Sequence, residues 1–447
     1  MAFMAAACER EAFDAEDNVQ LRLSTDSILF DTVITARSTI TQSFKIYNPA
    51  DRAILIDNIK LENDEGQTYR INVDGAPGNV FDYRIGAQDS LFVFVEATIN
   101  PDDQTQPFVI EGKVVVNNGV HSDDIALEAW GQNAIYHVND TIEEDTRWGS
   151  SIPHLIYGPC WVDPGARLLI DPGARIYFHA FSFLAVLGNL QVQGTPEERV
   201  VMRHDRFEAF YEDQTGQWQG VFLLSPSDAN RIEYADIRNS VIGLRVDSLG
   251  RGPEPKLRIR NTRITNVESA ALVAFTGEID AVNCEFSNGC EGAFVADLGG
   301  QYRFRHVTFA NYPRNCGGDG PAVRMLERNF SVPEAGIDQP FDLLGAFTNC
   351  VIDGPRADEI RIEAQGGGRL DVRFDHCALR TSEPEALQTV SCLFNRDTLF
   401  VNRRDADFQP DSLSPLRDAG RPLEVATDLE GTMRDLRQPD IGAYELP

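Results

Sequence analysis

IRNTRITN, at residues 259–266, is one copy of a short pattern that returns through the second half of the chain. The other copies are IEYADIRN at 232–239, AVNCEFSN at 281–288, FRHVTFAN at 304–311, FTNCVIDG at 347–354 and FDHCALRT at 374–381. Within each copy apolar residues alternate with polar ones, which predicts strands rather than helices. Recurrence at such intervals is typical of solenoids, in which each repeat buries its apolar face against its neighbours. The pattern therefore predicts a β-solenoid.

The third place of each copy holds an Asn, His or Tyr, and these residues are Tyr234, Asn261, Asn283, His306, Asn349 and His376. Stacked Asn side chains hydrogen-bond along a solenoid axis. This favours a structural ladder over an acid–base role for the two histidines, although histidine titrates near neutrality. The next place holds Cys284, Cys350 and Cys377, which we expect to be small buried fillers. Coils stacked about 4.8 Å apart would also permit a disulfide.

Composition limits the possible partners. The 447 residues carry a formal charge of −29, with a pI near 4.6. Nucleic-acid binding needs Lys and Arg to neutralise phosphates, so this balance argues against it, and it disfavours adsorption on an anionic membrane. The chain holds no run of 18 apolar residues that would predict a membrane-spanning helix. Its length predicts two domains, or one domain and a repeat array.

The first residues are similar to the end of a lipoprotein signal. Ala5-Ala6-Ala7-Cys8 matches a lipobox, and residues 9–17 are rich in Asp and Glu. A basic start and a longer apolar core are missing, so a chance Cys is the alternative. The resemblance implies that Cys8 carries a lipid and that residues 1–17 are a signal remnant and acidic tether. It also implies an exported outer-membrane lipoprotein, exposed at the cell surface and joined to the membrane only through its anchor.

Residues 18–132 show short alternating stretches separated by turn signals such as Asn48-Pro49, Pro77-Gly78 and Asn118-Gly119. This spacing predicts a β-sandwich. The segments 27–33 and 44–49, together with the final 129–132, resemble the Ig-like modules of bacterial surface proteins and of HYDIN-type proteins. The resemblance implies a spacer or docking unit without a catalytic site. Residues 133–152 are polar and are expected to be a connection.

The solenoid is expected to span 153–392, with DPGAR at 163–167 and again at 171–175. Pro-Gly supplies tight corners because Pro fixes φ and Gly accepts positive φ. In residues 393–447, SPLRDAG at 414–420 and PDIGAYE at 439–445 resemble the closing segment of bacterial right-handed parallel β-helix proteins. The first motif departs from that family at Leu416 and Arg417. We expect 393–447 to cap the solenoid, because solenoid ends need capping. The family includes pectate-lyase-like enzymes and members without known activity.

A long excursion interrupts the solenoid at 203–217 and supplies the candidate ligand site. Aromatic faces with neighbouring carboxylates and Arg suit a sugar chain. The predicted ligand-binding residues are Asp205, Arg206, Phe207, Glu208, Phe210, Tyr211 and Trp218. The alternative is that these aromatics pin the loop to the solenoid and that Trp218 packs at a coil edge. In a second excursion, 312–342, Arg314, Arg324 and Arg328 could contact acidic sugars or form local salt bridges.

The local signatures of two catalytic families are absent. The polygalacturonase type needs Asn-Thr-Asp and Gly-His-Gly around paired carboxylates, and the pectate-lyase type needs Trp-x-Asp-His; the sequence contains none of these. No catalytic residue is assigned. No cofactor or metal is expected, although Asp353, Asp358 and Glu359 could offer oxygen ligands to calcium.

These observations favour an all-β, two-domain protein with an Ig-like β-sandwich followed by a right-handed parallel β-helix. The first functional hypothesis is a non-catalytic cell-surface binding or adhesion protein, with a polysaccharide or surface glycan as its ligand. The second is a polysaccharide lyase or glycoside hydrolase with its site beside 203–218. The third is a structural subunit that docks on outer-membrane proteins through the sandwich.

Overall fold

The computed structural model describes residues 19–34, 39, 41–64, 68–99, 108–314, 320–332 and 337–446. The chain divides into two compact units, residues 1–134 and 135–447. Both are built almost entirely of strands, so the all-β prediction is confirmed. In the described part of the chain, no helix is long and apolar enough to cross a membrane. Cys8 and the acidic tether lie outside the described residues.

The first unit is a two-sheet sandwich. Its strands are β1 (Arg22–Leu23), β2 (Ser27–Ile34), β3 (Gln42–Tyr47), β4 (Ile54–Glu62), β5 (Tyr69–Val73), β6 (Ala76–Pro77), β7 (Val80–Ile85), β8 (Ser90–Ala97), β9 (Phe108–Asn117) and β10 (Ser122–Gln132). One sheet has the order β1-β3-β8-β5-β6 and the other β2-β10-β9-β4-β7. Alternate residues of both sheets, among them Ile46, Val93 and Ile125, form one shared core. Its membership of the Ig-like family stays a prediction.

The second unit is a parallel β-helix with three flat faces. It opens with β11 (Ile135–Ile142), which pairs with β13 (His154–Val162). Strands β13, β26 (Glu278–Gly289) and β28 (Gly300–Ala310) are long enough to serve two faces each. Every pairing along the 26-strand sheet of the described residues runs parallel between successive coils. The solenoid prediction is confirmed.

Face I consists of β12 (Thr146–Trp148), β14 (Arg167–Ile170), β17 (Asn189–Gln193), β20 (Asn230–Glu233), β23 (Leu257–Arg260), the first halves of β26 and β28, β32 (Leu343–Thr348), β35 (Leu370–Asp375) and β37 (Gln388–Val390). Face II consists of the first half of β13, β15 (Arg175–Phe178), β18 (Val200–His204), β21 (Ala235–Arg238), β24 (Arg263–Val267), the second halves of β26 and β28, β33 (Val351–Asp353), β36 (Ala378–Leu379) and β38 (Leu393–Phe394). Face III consists of the second half of β13, β16 (Phe183–Val186), β19 (Gly220–Leu223), β22 (Leu244–Asp247), β25 (Ala270–Phe275), β27 (Gly292–Asp297), β29 (Val323–Glu327) and β34 (Ile360–Ala364).

The remaining strands form two antiparallel hairpins. They are β30 (Phe330–Val332) with β31 (Ile337–Gln339), and β39 (Phe400–Asn402) with β40 (Asp407–Pro410). The stretch 133–152, expected to be a connection, instead forms the first strands of the solenoid. Its charged residues lie in turns and on the outer surface, while Ile142 and Trp148 point into the solenoid core. Because the stretch is mostly polar, its sequence does not reveal that these two side chains are buried.

The Asn/His/Tyr place of the repeat is the corner between face I and face II. All six residues have positive φ, from 48° at Asn261 to 54° at His306. Among residues with a side chain, Asn adopts this left-handed conformation at the least cost, because its short amide bonds locally. One rung bonds directly to another, with the Asn349 amide donating to His306 Nε2 at 3.0 Å. The Asn261 amide instead donates to the Asp428 carbonyl and the Asn283 amide to the Thr427 carbonyl.

The cysteine ladder lies inside the solenoid. Cys284, Cys350 and Cys377 are buried free thiols, as predicted for fillers. The backbone N–H of Cys350 donates to Cys377 Sγ at 3.4 Å, so the two thiols belong to stacked coils. Cys290, which lies outside this ladder, is disulfide-bonded.

The C-terminal segment, residues 393–447, runs along the side of the solenoid. The sequence predicted a cap over its end, whereas the described contacts are with the flank of successive coils. The Tyr444 hydroxyl bonds Glu285, the Ala443 N–H donates to Thr308 Oγ1 at 3.0 Å, and the Arg421 N–H donates to Asn349 Oδ1 at 2.9 Å. Ile441 and Tyr444 share a small core with Val351 of face II. The segment therefore covers the part of face II that contains Glu285, Thr308 and Val351.

Three buried histidines of the described residues, His154, His204 and His306, make the solenoid sensitive to acid, because burial lowers the pKa of each. Burial lowers the pKa of His204 to about 4 and that of His154 to about 4. His204 Nδ1 accepts the N–H of Arg206 at 3.0 Å, and protonation at that nitrogen would break this bond. In the unfolded chain a histidine has a pKa of about 6.5. Between pH 6.5 and 4 the unfolded chain therefore binds protons that the folded chain does not, and stability falls as the pH falls.

We expect the free energy of unfolding to fall between about pH 7 and about pH 5, by about 2 kcal/mol for each such histidine. Urea unfolding at the two pH values measures this. His204→Gln will lose stability at neutral pH but show a smaller further loss at pH 5. If the free energy of unfolding falls equally between the two pH values in wild type and in His204→Gln, then His204 is not a source of the acid sensitivity.

Candidate functional site

The excursion loop, residues 203–217, folds against face II. It begins at the end of β18 and contains one 3₁₀ turn, Ala209–Tyr211. The Asn239 amide donates to the carbonyls of Glu212 and Gln214, both at 2.8 Å. These two bonds fix the far arm of the loop to the edge of the solenoid.

The aromatic residues of the excursion loop have different surroundings. Phe207 packs edge-on against Tyr177, with ring centroids 4.9 Å apart. The Arg206 guanidinium lies 4.3 Å from the Tyr211 ring centroid, and its Nε bonds Glu208 at 3.2 Å. Phe207 thus pins the loop, as the alternative interpretation expected, while Arg206, Glu208 and Tyr211 form one half-buried cluster.

Trp218 is a core residue rather than a ligand platform. Its side chain is 0% exposed, stacks on Phe178 at 3.9 Å and donates its indole N–H to the Arg238 carbonyl at 2.8 Å. Asp205 is also buried, and its carboxylate lies 2.9 Å from His179 Nδ1. Neither side chain presents a surface to a glycan. Of the predicted residues, Phe210 is the freely accessible aromatic, with 72% of its surface exposed.

A polar trough lies between the excursion loop and the C-terminal segment. One part has a volume of about 330 Å³ and is lined by Arg263, Thr265, Asn266, Glu285, Asp405, Ala406, Asp407, Phe408, Gln409, Glu430 and Tyr444. A smaller part, of about 50 Å³, is lined by Asp213, Thr215, Asn266, Asn288, Pro313, Arg314, Asp405 and Ala406. The two parts share Asn266, Asp405 and Ala406, so they adjoin.

Arg314 bridges the two walls of the trough. Its guanidinium lies 4.0 Å from Asp213 of the excursion loop and 3.5 Å from Asp405 of the β39–β40 hairpin. All three side chains are 44% exposed or more. Exposed ion pairs contribute between zero and about 1 kcal/mol, so an entering ligand can replace them at little cost. In the same excursion Arg328 pairs locally with Asp297 at 2.6 Å.

The floor of the trough holds a buried carboxyl group. Glu285 is 3% exposed; its Oε1 accepts the Ser287 hydroxyl at 2.8 Å, and its Oε2 bonds the Tyr444 hydroxyl. Desolvation raises the pKa of Glu285 above its ordinary value, against the opposing effect of Tyr444 and Arg263. Asp236, on the same face, is held by Arg199 at 3.0 Å and lies 3.6 Å from Arg263.

The trough also depends on a second Asn ladder, in addition to the ladder at the corner between face I and face II. Asn239, Asn266 and Asn288 end three copies of the repeat and have positive φ at the corner after face II. The Asn288 amide donates to Asn266 Oδ1 at 3.3 Å. The recurring final Asn of IRN, ITN and FSN was the available signal, since Asn tolerates positive φ better than other side chains.

The carboxylates considered for calcium are occupied by protein donors. Asp353 pairs with Arg380 and bonds Tyr312, Asp358 accepts the Ser382 N–H, and Glu359 accepts the Ala322 N–H. Across the described ranges no three His, Cys, Asp or Glu side chains are grouped as a metal site requires. The calcium hypothesis stays untested.

No protein-family profile and no curated protein matches the chain. Among solved structures it is similar to a GH87 α-1,3-glucanase catalytic unit from Streptomyces thermodiastaticus, with 9% identity over 79% of this chain and 86% of that one, at a TM-score of 0.28. A family 123 glycoside hydrolase from Clostridium perfringens shares 12% identity over 28% of this chain and 26% of its own, at 0.20. The Escherichia coli chaperone DraB shares 12% over 26% and 55%, at 0.18. Similarities at these TM-scores carry no argument about function.

Proposed function

We propose that the chain is a non-catalytic glycan-binding protein whose ligand lies in the trough between the excursion loop and the C-terminal segment. The observation that carries the proposal is the composition of the lining. Amides from Asn266 and Gln409, carboxylates from Asp405 and Glu430, and the Thr265 hydroxyl converge on one open groove. Sugar hydroxyls both donate and accept, so a mixed set of this kind binds them well.

The excursion loop, whose Asp213 and Thr215 line the trough, also carries an exposed apolar side chain. Phe210 and Tyr211 pack edge to face with centroids 5.1 Å apart, and Phe210 projects into solvent. A pyranose ring can stack on an exposed aromatic face at low entropic cost, because the aromatic side chain has few rotamers. Polar groups in the trough and an exposed aromatic side chain on the same excursion loop together favour a sugar chain over an isolated ion.

Binding without cleavage is favoured by the state of two carboxyl groups, Glu285 on the trough floor and Asp236 on the same face of the solenoid. Hydrolysis needs one group free to donate a proton to the glycosidic oxygen and a second free to activate water or attack. Both oxygens of Glu285 accept internal hydrogen bonds, and Asp236 is clamped by Arg199. The raised pKa of Glu285 is nevertheless the property of a general acid, so a hydrolase using Glu285 is the second candidate.

The test is retention on a panel of immobilised neutral polysaccharides, with soluble sugars assayed in the same samples. We expect wild type to be retained by at least one polymer without releasing products. Asp405→Ala combined with Gln409→Ala will weaken that binding about tenfold or more, because a hydrogen bond to the charged Asp405 contributes about 1.5–3 kcal/mol and one to the neutral Gln409 amide about 0.5–1.5 kcal/mol. Glu385→Ala, which removes an exposed carboxylate outside the trough lining, is the matched control.

The outcomes separate the hypotheses. Shortened oligosaccharides that disappear in Glu285→Gln would replace the binding proposal by the hydrolase. Unchanged affinity of the folded double variant would remove the trough as the site. If a well-folded wild type is retained by no polymer, the proposal fails and docking to outer-membrane proteins through the sandwich becomes the leading hypothesis.

We further propose that the protein acts at the cell surface as an outer-membrane lipoprotein. The support is the Ala5-Ala6-Ala7-Cys8 motif and the acidic residues after it. Labelled palmitate should enter the precursor expressed in a Gram-negative host and should not enter Cys8→Ser. Equal labelling of both would refute the anchor.

A further inference from the structure

The outer surface of face I carries rows of arginines along the solenoid axis. Register between successive coils places one outward residue of each strand in a central row: Leu169, Gln191, Arg231, Arg258, Asp280, Arg303, Ala346 and Arg373. The next outward row holds Gln193, Glu233, Arg260, Val282, Arg305, Thr348 and Asp375. The alternating stretches LRIR at 257–260 and YRFR at 302–305 produce these rows.

Two depressions follow the central row. The first has a volume of about 790 Å³ and extends from Arg167 past Gln191 to Arg231. The second has a volume of about 470 Å³ and extends from Arg258 past Arg303 to Arg373. Coils stack about 4.8 Å apart, so the row from the first strand to the last is about 34 Å long. An extended polymer can therefore contact several coils at once.

The charge of these depressions is opposite to that of the chain. Seven arginines and five carboxylates line them, whereas the whole chain has 40 basic and 69 acidic residues. The carboxylates are largely engaged: Asp280 pairs with Arg305 at 2.7 Å, and Asp371 pairs with both Arg369 and Arg373. The exposed Arg303 and Arg260 form no ion pair with another described residue. Face I therefore has a surplus of accessible guanidinium groups.

Part of this arrangement opposes folding. Arg231 and Arg258 are direct neighbours on stacked strands, and both lie within 4 Å of the same carboxylate, Glu254. Like charges directly opposite each other destabilise a sheet. One carboxylate shared by two arginines leaves a net positive charge that an external anion would neutralise.

We propose that face I binds an acidic polysaccharide that carries carboxylate or sulfate groups. Guanidinium forks bind such groups with two parallel hydrogen bonds, as a lysine cannot. Gln191, Gln193 and Gln301, which line the same depressions, supply amides for the hydroxyls between the charged groups. This site is on a different face from the trough and does not depend on it.

The experiment measures binding of the full chain to polygalacturonate and to chondroitin sulfate, with duplex DNA and a neutral glucan as comparison polymers. We expect the wild type to bind an acidic glycan with an affinity that falls as NaCl increases. Arg260→Gln combined with Arg303→Gln will weaken this binding about tenfold or more, since each removed charge-assisted contact contributes about 1.5 kcal/mol or more. Binding to any neutral glucan in the trough will be unchanged. Arg437→Gln, at an exposed arginine of the C-terminal segment, is the matched control.

Several results would overturn the proposal. Equal affinity of the double variant and wild type would remove face I as the site. Absence of binding to both acidic glycans by a folded wild type would remove the ligand class. DNA binding as tight as glycan binding, with the same loss in the double variant, would mean that the face recognises polyanions in general. Unfolding curves of each variant establish that the loss is local.

Discussion

Replacing Arg434 with leucine will destabilise the second unit by about 3–5 kcal/mol, because the change leaves a buried carboxylate without its partner. The Arg434 side chain is 0% exposed and lies 2.9 Å from Glu445, whose side chain is 4% exposed. The same guanidinium donates to Asn283 Oδ1 at 3.1 Å and to the carbonyls of Gly442 and Ala443. Arg434 therefore joins separate parts of the C-terminal segment to each other. It also joins the segment to Asn283, at the corner between face I and face II.

Urea unfolding of the full chain, followed by tryptophan fluorescence, measures this loss, since three of the four tryptophans, Trp148, Trp161 and Trp218, lie in the second unit, and Trp130 lies in the first. The control is the double variant Arg434→Leu with Glu445→Leu, which removes both charges and will recover part of the loss. A single variant as stable as wild type would show that the segment is not held to the solenoid by this pair.

Trp218→Ala will cost about 3–5 kcal/mol through the cavity that it leaves in the core. The ring is stacked on Phe178 between coils, and its indole N–H has a fixed acceptor. Trp218→Phe keeps the stacking and loses the hydrogen bond, so it will cost less. Because Trp218 lies inside the solenoid, folded Trp218→Phe will bind the trough ligand with unchanged affinity.

Denaturation curves give the stability loss, and titration with the retained glycan gives the affinity. Phe210→Ala is the informative comparison, since its exposed ring can change affinity with little change in stability. A Trp218→Phe protein that folds normally but loses glycan binding would return Trp218 to the binding surface and contradict the core assignment.

Much of the solenoid was predictable because its determinants are local and periodic. Alternation of apolar residues dictates strands in each copy of the repeat. A corner at positive φ favours Asn, which occupies it in three of the six copies, with His or Tyr in the others. In residues 133–152 the alternation of apolar residues is hard to recognise. Only two side chains, Ile142 and Trp148, enter the solenoid core, and charged residues surround them in the sequence.

The trough could not be predicted, because it joins residues that are distant in sequence. Glu285 meets Tyr444 across 159 positions, and Arg314 meets Asp405 across 91. No spacing rule reports such contacts. The excursion loop was identified as a surface feature by its composition, but composition does not say which aromatic points inward. Trp218 and Phe210 are both aromatic residues within or beside this loop. The exposed fractions of their side chains, 0% and 72%, differ only because of the fold.

One trough, built from the excursion loop and the C-terminal segment, is proposed to hold the glycan. Amide hydrogen exchange of the full chain, with and without a saturating neutral oligosaccharide from the retained polymer, tests this placement. We expect slower exchange at 212–216 and at 402–409 together, with no change along strand β23 of face I. Protection confined to the sandwich, or to the solenoid away from both walls, would contradict it.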